Sequence, residues 1–521
     1  MKVTILSTSD VHGFVLPTDF SSRDSEVPFG LARAATVIAE LKAHAADDEL
    51  VITIENGDFI QGSPLTNYIA KENRNAVGLY QQLAKQIGYD ARILGNHEFN
   101  YGVDYLQTAI PKDVGVLNAN ILASNDEPFM GKPYRIIEDK GVKVAILGLT
   151  TDYIPHWEKP ANIEGLQFMD VVETAKRYVP FLRQEADLVI VAYHGGFEAD
   201  LKTGEPDAIL TGENVGYRLL REVPGIDGLV TGHQHRQLAG IVQGTATTQP
   251  GYRGENVGVL TFELDDTNAV TKQATQLLST KGFKPDAGIV ALTQGVQARV
   301  EDWLDSPVGQ VAGDMLVHAP LKERAHGDAY LDFINRVQMA AVGTDIAATA
   351  LFNNEVPGFK PEVTMRDVVT SYIYPNTLAA EKITGADLKA ALEKSAEYFT
   401  VIDGELTVTP IFMEPKPQHY NYDYWSGIDY AFDLSLPVGQ RVTKLKYHGH
   451  DVAPTDELVV ALNQYRAVSG GDFMMFGAEK IVKELQVDIT DLIADYFVAH
   501  PTVTAHEPRN LTTHGYSWMQ A

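Results

Sequence analysis

The sequence predicts an α/β amino-terminal domain followed by a second domain of mixed α+β character. Three observations carry that expectation. Short β-branched or aliphatic runs alternate with helix-like stretches from Met1 to about Leu264, the pattern of strand–helix–strand units. Five of those runs end in residues of metal-ligand type: VTILSTSDVHG (Asp10, His12), VITIENGD (Asp58), ARILGNHE (Asn96, His97), DLVIVAYHGG (His194) and GLVTGHQH (His233, His235). After Ser306-Pro307 the alternation gives way to short strands, turns and helices mixed with aromatic-rich loops such as 411–430.

Each run is long enough for one buried strand. Open α/β sheets present ligands just beyond the carboxyl ends of their strands, so the five tips are expected to meet at one rim. Asp10 and His12 are alternate residues of an extended segment and share a face, and Gly13 lets the backbone turn away. Asn56-Gly57-Asp58 is a turn-forming triplet. In Gly95-Asn96-His97-Glu98 the neutral Asn can ligate through its carbonyl oxygen while the adjacent His points elsewhere. Gly232-His233-Gln234-His235 again spaces two imidazoles for one face. The run KVAILGLT (143–150) is equally strand-like, yet no His follows it directly, so strand ends here do not carry ligands by default.

Apolar spacing near 3.6 predicts helices over Gly30–His44 and Asn75–Ile87, and a connecting helix from about Pro285 to Trp303. The irregular stretch 14–29 reads as a surface loop. The expected divisions are a metal-binding domain at 1–284, a linker helix at 285–307, a second domain at 308–501 and a polar tail, docked or loose, at 502–521.

A chain of 521 residues exceeds one ordinary core. Its formal net charge of -27 argues against a nucleic-acid polymer as partner, since that needs basic surface. A small anionic substrate remains compatible, because bound cations reverse the local field. With no cysteine, a metal has to be held by His, Asp, Asn, Glu or Gln. That hard-to-borderline set suits two divalent ions and tolerates Mn, Zn, Fe, Co or Mg alike. No run reaches membrane-spanning length and Met1-Lys2 leads straight into a strand, so no membrane partner is expected. The chain reads as cytoplasmic, with a mature fragment of a secreted protein as the alternative.

The series D-x-H, G-D, G-N-H-E, H-G-G and G-H-x-H resembles the calcineurin-like metallophosphoesterase family. The pairing with a carboxyl-terminal domain resembles the superfamily of 5′-nucleotidases and 2′,3′-cyclic-nucleotide 2′-phosphodiesterase/3′-nucleotidases. The resemblance implies a four-layer αββα sandwich. It implies Asp10, His12, Asp58 and His235 on one ion, and Asp58, Asn96, His194 and His233 on the other, with Asp58 bridging. It makes His97 the residue that stabilises the transition state or protonates the leaving oxygen, a role suited to imidazole. Two cations would lower the pKa of water and offset charge on the phosphoryl oxygens.

Two departures bear on substrate. Many 5′-nucleotidases follow G-N-H-E with Phe-Asp; here the string is Gly95-Asn96-His97-Glu98-Phe99-Asn100-Tyr101-Gly102, and Asn100 brings no charge. The string resembles the cyclic-phosphodiesterase branch. The nearest match to an arginine-bearing phosphate segment is Phe352–Phe359, which has no arginine, and Lys360 cannot reproduce its bidentate grip.

In the second domain, His419–Trp425 and Asn463–Arg466 leading into Gly470-Gly471-Asp472-Phe473 resemble base-pinching loops. Matching motif positions favours Tyr422 and Phe473, with Tyr420 and Tyr465 as close rivals. Asp472 or Asn463 would meet ribose hydroxyls. Tyr372–Leu378 followed by Ile383–Leu388 reads as a strand, a turn and a capped helix, and His448-Gly449-His450 as a surface hairpin turn. The expected activity is metal-dependent hydrolysis of nucleotide phosphate esters, preferably 2′,3′-cyclic nucleotides and 3′-nucleotides. A 5′-nucleotidase or nucleotide-sugar hydrolase is the alternative. A nucleotide sensor without turnover is a third class, disfavoured by the complete ligand set.

Overall fold

Val3, Ile5 and Leu6 are all fully buried, so the first strand is covered on both faces. The computed structural model describes residues 1–111, 115–206, 210, 212–374, 376–414 and 417–517. In it this run is β1 (Lys2–Thr8), extended in parallel by β2 (Glu49–Glu55), β3 (Ala91–Ile93) and β4 (Val116–Leu117). The chain then builds a second sheet from β5 (Tyr134–Asp139), β6 (Val142–Thr150), β7 (Leu188–His194), β8 (Gly228–Val230), β9 (Gln237–Val242) and β10 (Thr245–Pro250). It returns to the first sheet with β11 (Asn256–Leu264) and β12 (Val270–Ser279). The strand orders are β12–β11–β1–β2–β3–β4 and β9–β10–β8–β7–β6–β5. Strands β6, β7, β8 and β10 run parallel; β5, β9 and the β11–β12 pair are antiparallel additions.

The two sheets share a core in which Val3, Ile5 and Ile54 join Val144, Ile146 and Ile190. The other face of the second sheet packs Leu147, Val189 and Val191 with Val172, Val179 and Leu182 of the helix Val171–Glu185. On the first sheet, the helix Leu31–Ala43 buries Leu31, Ala34, Val37 and Ile38 and packs on β11. The result is the four-layer αββα sandwich. The parallel central strands present their carboxyl ends together, which fixes where the ligand loops begin.

The helix expected from Asn75 starts at Leu79, after a separate 3-10 turn at Arg74–Ala76. Gly78 lies between them as the cap of the second helix, and glycine is a weak helix former. The loop 14–29 lacks regular structure but is not merely superficial. Phe14 and Phe20 are buried, and Phe14 packs on both Phe20 and Phe29.

The connecting helix spans Ala287–Leu304, and the chain divides into two units between Glu301 and Asp302. The second unit is centred on a five-stranded mixed sheet ordered Tyr424–Ser426, Ile346–Thr349, Glu457–Asn463, Thr377–Thr384, Ile481–Asp488. The helix Ala329–Val342 packs against it. The polar cap and helix expected after Ile383 are present as Gly385–Glu397 with its Thr384–Asp387 capping box. The strand, however, lies at Thr377–Thr384 rather than Tyr372–Leu378 and runs into that helix without an intervening turn, Tyr372 instead closing the helix Met365–Ser371. Pro375, within that reading, lies outside the described residues.

The expected tail is woven into the second unit. Thr502–Thr504 pairs with Pro307–Ala312, and Leu511–His514 pairs with Ile428–Asp433. Val503 and Leu511 supply the buried alternation that polar neighbours obscure in sequence. Residues 518–521 lie outside the described residues.

Candidate metal centre

Asp10, His12, Asp58, His233 and His235 all adopt left-handed backbones, with φ of 54°, 50°, 56°, 68° and 58°. Outside glycine this conformation is uncommon and costs on the order of 1 kcal/mol or more per residue. Hydrogen bonds between loops hold it. Asn56 N donates to Thr8 O, Asp10 N to Gly57 O (3.0 Å), and His12 N to Asp58 O (2.8 Å). The loops after β1 and β2 therefore continue to zip together beyond the strand ends. Gly57 (φ 87°) permits this: a Cβ there would lie 2.6 Å from His194 Nδ1.

Glu98 fixes the next pair of loops. Its fully buried carboxylate accepts from Asp58 N (2.7 Å), Phe59 N (2.7 Å) and Gly95 N (2.6 Å). Burial and the nearby Asp58 charge push its pKa up. A Cβ on Gly95 would fall 2.2 Å from Asp58 Oδ1, so the close approach of these loops requires glycine.

The side chains gather in two groups: Asp10, His12 and His235; and Asp58, His194 and His233. Asn96 joins the second, its Oδ1 lying 3.2 Å from His194 Nε2 and 2.9 Å from His233 Nδ1. Backbone and carboxylate acceptors set which ring nitrogen faces the centre. His12 Nδ1 donates to Gln61 O (3.0 Å) and His194 Nδ1 to Asn56 O (2.6 Å), leaving Nε2 of each directed inward. His233 is reversed: Nε2 contacts Glu213 Oε1 at 2.7 Å and Nδ1 faces Asn96. Ser9 Oγ donates to Asp10 Oδ2 (2.5 Å), and Tyr252 stacks on His235 with ring centroids 4.8 Å apart.

This donor set fits divalent cations. Asp58 Oδ2 is buried and makes no hydrogen bond, although it lies 3.2 Å from His194 Nε2 and 3.8 Å from His12 Nε2. The Nε2 atoms of His12 and His235 face each other at 3.0 Å, a contact that needs a proton or a cation between two lone pairs. Burial depresses His12 to about 3, so it stays neutral and able to ligate. Burial raises Asp10 to about 7. For His194 burial works downward, but the Asp58 charge outweighs it and lifts the imidazole to about 10. Burial likewise opposes ionisation of Asp58, yet His194 and His97 hold it well below the usual carboxylate range.

His97 lies beside the first group, its ring centroid 5.2 Å from that of His12, and its backbone N donates to Asp58 Oδ1 (2.8 Å). Its Nδ1 contacts Asn100 Oδ1 at 2.6 Å. Thus Asp10, His12, Asp58, Asn96, His97, His194, His233 and His235 come together in the first unit. Glu98, Glu213, Gln61 and Asn56, which orient them, were not singled out from sequence. Asn56 and Glu98 sit inside the quoted motifs; Glu213 and Gln61 carry no comparable signal.

In the second unit the expected nucleoside contacts are redistributed. Tyr422 is fully buried against Tyr398 and Phe399, and its hydroxyl donates to Arg324 O. Phe473 is fully buried beneath the Arg466 guanidinium, 3.8 Å from the ring centroid. Neither ring offers a free face, so the favoured Tyr422–Phe473 pair is corrected to core residues. Asn463 is buried too: its Oδ1 accepts from Arg466 N and caps the short helix Gln464–Ala467, which removes it as a ribose contact. Tyr420, Tyr465 and Asp472 remain half-buried. Arg466 ties their loops together, donating to Asp423 Oδ2 (2.7 Å), to Tyr420 O (2.7 Å) and to Gly470 O.

The arginine missing from 352–359 enters from elsewhere. Arg324 donates to Asn354 Oδ1 (2.7 Å), Leu351 O (2.8 Å) and Asn353 O (2.9 Å), bracing the loop from behind while almost wholly buried. Lys360 pairs instead with Asp367. His448, Gly449 and His450 are exposed in a hairpin turn.

Two family models match this chain: calcineurin-like phosphoesterase over residues 3–237, and the 5′-nucleotidase carboxyl-terminal domain over 307–478. A 2′,3′-cyclic-nucleotide 2′-phosphodiesterase/3′-nucleotidase of Haemophilus influenzae is 30% identical, the match covering 96% of this chain and 85% of the relative. The chain belongs to the 5′-nucleotidase family of calcineurin-like phosphoesterases.

A trifunctional nucleotide phosphoesterase of Bacillus subtilis is 26% identical over 98% of this chain, which spans 39% of that relative's length. Among solved structures, a putative 5′-nucleotidase of Staphylococcus aureus, crystallised with α-ketoglutarate, superposes with a TM-score of 0.91 at 36% identity, covering 99% of this chain and 100% of that one. As a member of this family the chain is a metal-dependent hydrolase, and two divalent ions are its cofactor. Among the described residues, no helix is long and apolar enough to cross a membrane.

Without an ion, Asp10 holds its proton up to about pH 7 and His194 up to about pH 10, and both must release it to ligate. Divalent-ion binding therefore expels protons and strengthens as pH rises. The thermal shift produced by added Mn²⁺ is expected to be larger at about pH 8 than at about pH 6, and an equal or smaller shift at the higher pH would contradict the assignment. Asp58→Asn should weaken ion uptake by at least roughly 100-fold, beyond the usual effect of an outer hydrogen-bond partner, as read by metal analysis after dialysis. Retention of two tightly held ions would exclude Asp58 as their shared ligand.

Proposed function

We propose that the chain hydrolyses nucleotide phosphate esters, with 2′,3′-cyclic nucleotides and 3′-nucleotides as preferred substrates. The observation that carries the phosphoester chemistry is the convergence of Asp10, His12, Asp58, Asn96, His194, His233 and His235, with the buried Asp58 Oδ2 between two imidazoles. In this reading Asp10, His12, Asp58 and His235 hold one ion, and Asp58, Asn96, His194 and His233 the other. When bound, such a pair supplies an acidified water and offsets negative charge on a phosphoryl group.

The chain's own groups do the rest. Asp58 uses Oδ1 to fix the backbone of His97 and keeps Oδ2 for the ions. His97 faces the centre from beside His12 and serves the leaving oxygen as proton donor or electrostatic partner. Its Nδ1 is occupied by Asn100, so Nε2 is the nitrogen available to substrate.

The nucleoside is assigned to the second unit. Tyr420 and Tyr465 are only partly buried where Tyr422 and Phe473 are fully buried, so the rival pair becomes the base platform, with Asp472 toward ribose. Support for the cyclic and 3′ preference comes from Asn100 at the position where an Asp is common among 5′-nucleotidases, and from the name of the Haemophilus relative. A 5′-nucleotidase activity is the second reading, favoured by the Staphylococcus neighbour.

A panel of 2′-, 3′-, 5′- and 2′,3′-cyclic phosphates assayed with defined ions tests the ranking. Turnover of the cyclic and 3′-esters well above that of 5′-AMP is expected, and the reverse order would select the second reading. Tyr420→Ala and Tyr465→Ala should each raise KM for nucleotides about tenfold with kcat little changed, given stacking worth roughly 1–3 kcal/mol per base. Unchanged KM in both variants would remove the platform assignment.

A further inference from the structure

The strand without a ligand, β6, ends in a loop that reaches the centre by another route. Trp157 stacks against His233 with ring centroids 5.4 Å apart. The next residue, Glu158, is 7% exposed and directs its carboxylate to Asn100, whose Nδ2 donates to Glu158 Oε2 at 2.6 Å. Asn100 Oδ1 in turn lies 2.6 Å from His97 Nδ1. The second carboxylate oxygen is held by Lys159 N (2.8 Å) and Asn162 Nδ2 (2.8 Å), and Asn162 Nδ2 also donates to Asn100 O (2.9 Å).

We propose that Glu158 is a positioning residue for His97, acting through the carboxamide of Asn100. The assignment rests on the reading of His97 as the group that serves the leaving oxygen. A carboxamide can present either its oxygen or its nitrogen to a neighbouring ring, because the two ends are nearly the same shape. A carboxylate only accepts, so Glu158 compels Asn100 to turn its NH₂ toward residue 158 and its Oδ1 toward His97. In the neutral ring His97 Nδ1 must then carry the hydrogen, so Nε2 is the nitrogen that takes up the second proton and passes it to the leaving oxygen. A carboxylate at position 100 would do this directly. Here the negative charge is set one group further out and its orienting effect is relayed.

The test compares Glu158→Ala and Glu158→Gln, each alone and combined with Asn100→Asp, in the full-length metal-loaded protein. Turnover of a nucleotide ester, with its poor alkoxide leaving group, is measured beside turnover of a p-nitrophenyl ester, whose leaving group needs little protonation. Nitrogen-15 shifts of the His97 ring in the metal-free protein report which nitrogen carries hydrogen. In Glu158→Ala, kcat for the nucleotide should fall roughly 10–100-fold with KM within about twofold and ion content unchanged, while the nitrophenyl ester is affected less. The ring should lose its single Nδ1–H form, and adding Asn100→Asp should restore most of the loss.

Equal losses on both esters without rescue by Asn100→Asp would show that Glu158 merely anchors its loop and would overturn the proposal. So would unchanged kcat and unchanged ring nitrogens. If the alanine variant does not fold, Glu158→Gln keeps the shape, and the same ring and leaving-group readouts decide. Full turnover in His97→Ala would remove the reading on which this rests, a failure distinct from unaltered nitrogens in the Glu158 variants.

Discussion

A carboxylate oxygen buried among imidazoles, with no hydrogen bond of its own, is the constraint around which the first unit is organised. Asp58 Oδ2 is in that position. Isolated buried charge is costly, and such groups persist only when paired or when they bind a metal. Without an ion the His194 cation is the compensating charge; with two ions that proton gives way. The same residue thus connects the electrostatics of the protein alone with the chemistry of its family.

The surrounding fold converts that local requirement into geometry. Parallel strands from two facing sheets end together, and five ligand residues then take left-handed turns that most side chains avoid. Such strain survives where neighbouring structure over-determines it. Here the hydrogen bonds from Asp10, His12 and Asn56 across the loops, and the multiple bonds accepted by Glu98, provide that excess. A centre of this kind begins largely arranged, so little reorganisation accompanies the reaction.

Most of this centre was legible in sequence because each ligand follows a strand whose end is a topological necessity. The strand run fixes the location and the residue type fixes the chemistry. Orientation was not legible. Nothing in GNHEFN announces that Glu98 clamps two loops, or that Asn100 reaches Glu158 across a loop after a strand that bears no ligand. The second unit shows the opposite limit. An aromatic-rich segment does not reveal which ring faces outward, and Tyr422 and Phe473 are held inside by Tyr398, Phe399 and Arg466. Likewise Asn463 spends its oxygen on a helix cap, and Arg324 reaches Asn354 from an upstream helix. The polar stretch 502–517 hid two strands, because a single buried apolar residue in each was too weak a pattern beside its neighbours.

The central claim is that loops distant in sequence converge to hold a pair of cations around one shared carboxylate. Anomalous diffraction at the manganese edge, from crystals grown with Mn²⁺, addresses it directly. The account predicts two peaks flanking Asp58, one beside Asp10, His12 and His235 and the other beside Asn96, His194 and His233. A single peak away from Asp58, or ions bound only elsewhere on the protein, would contradict it.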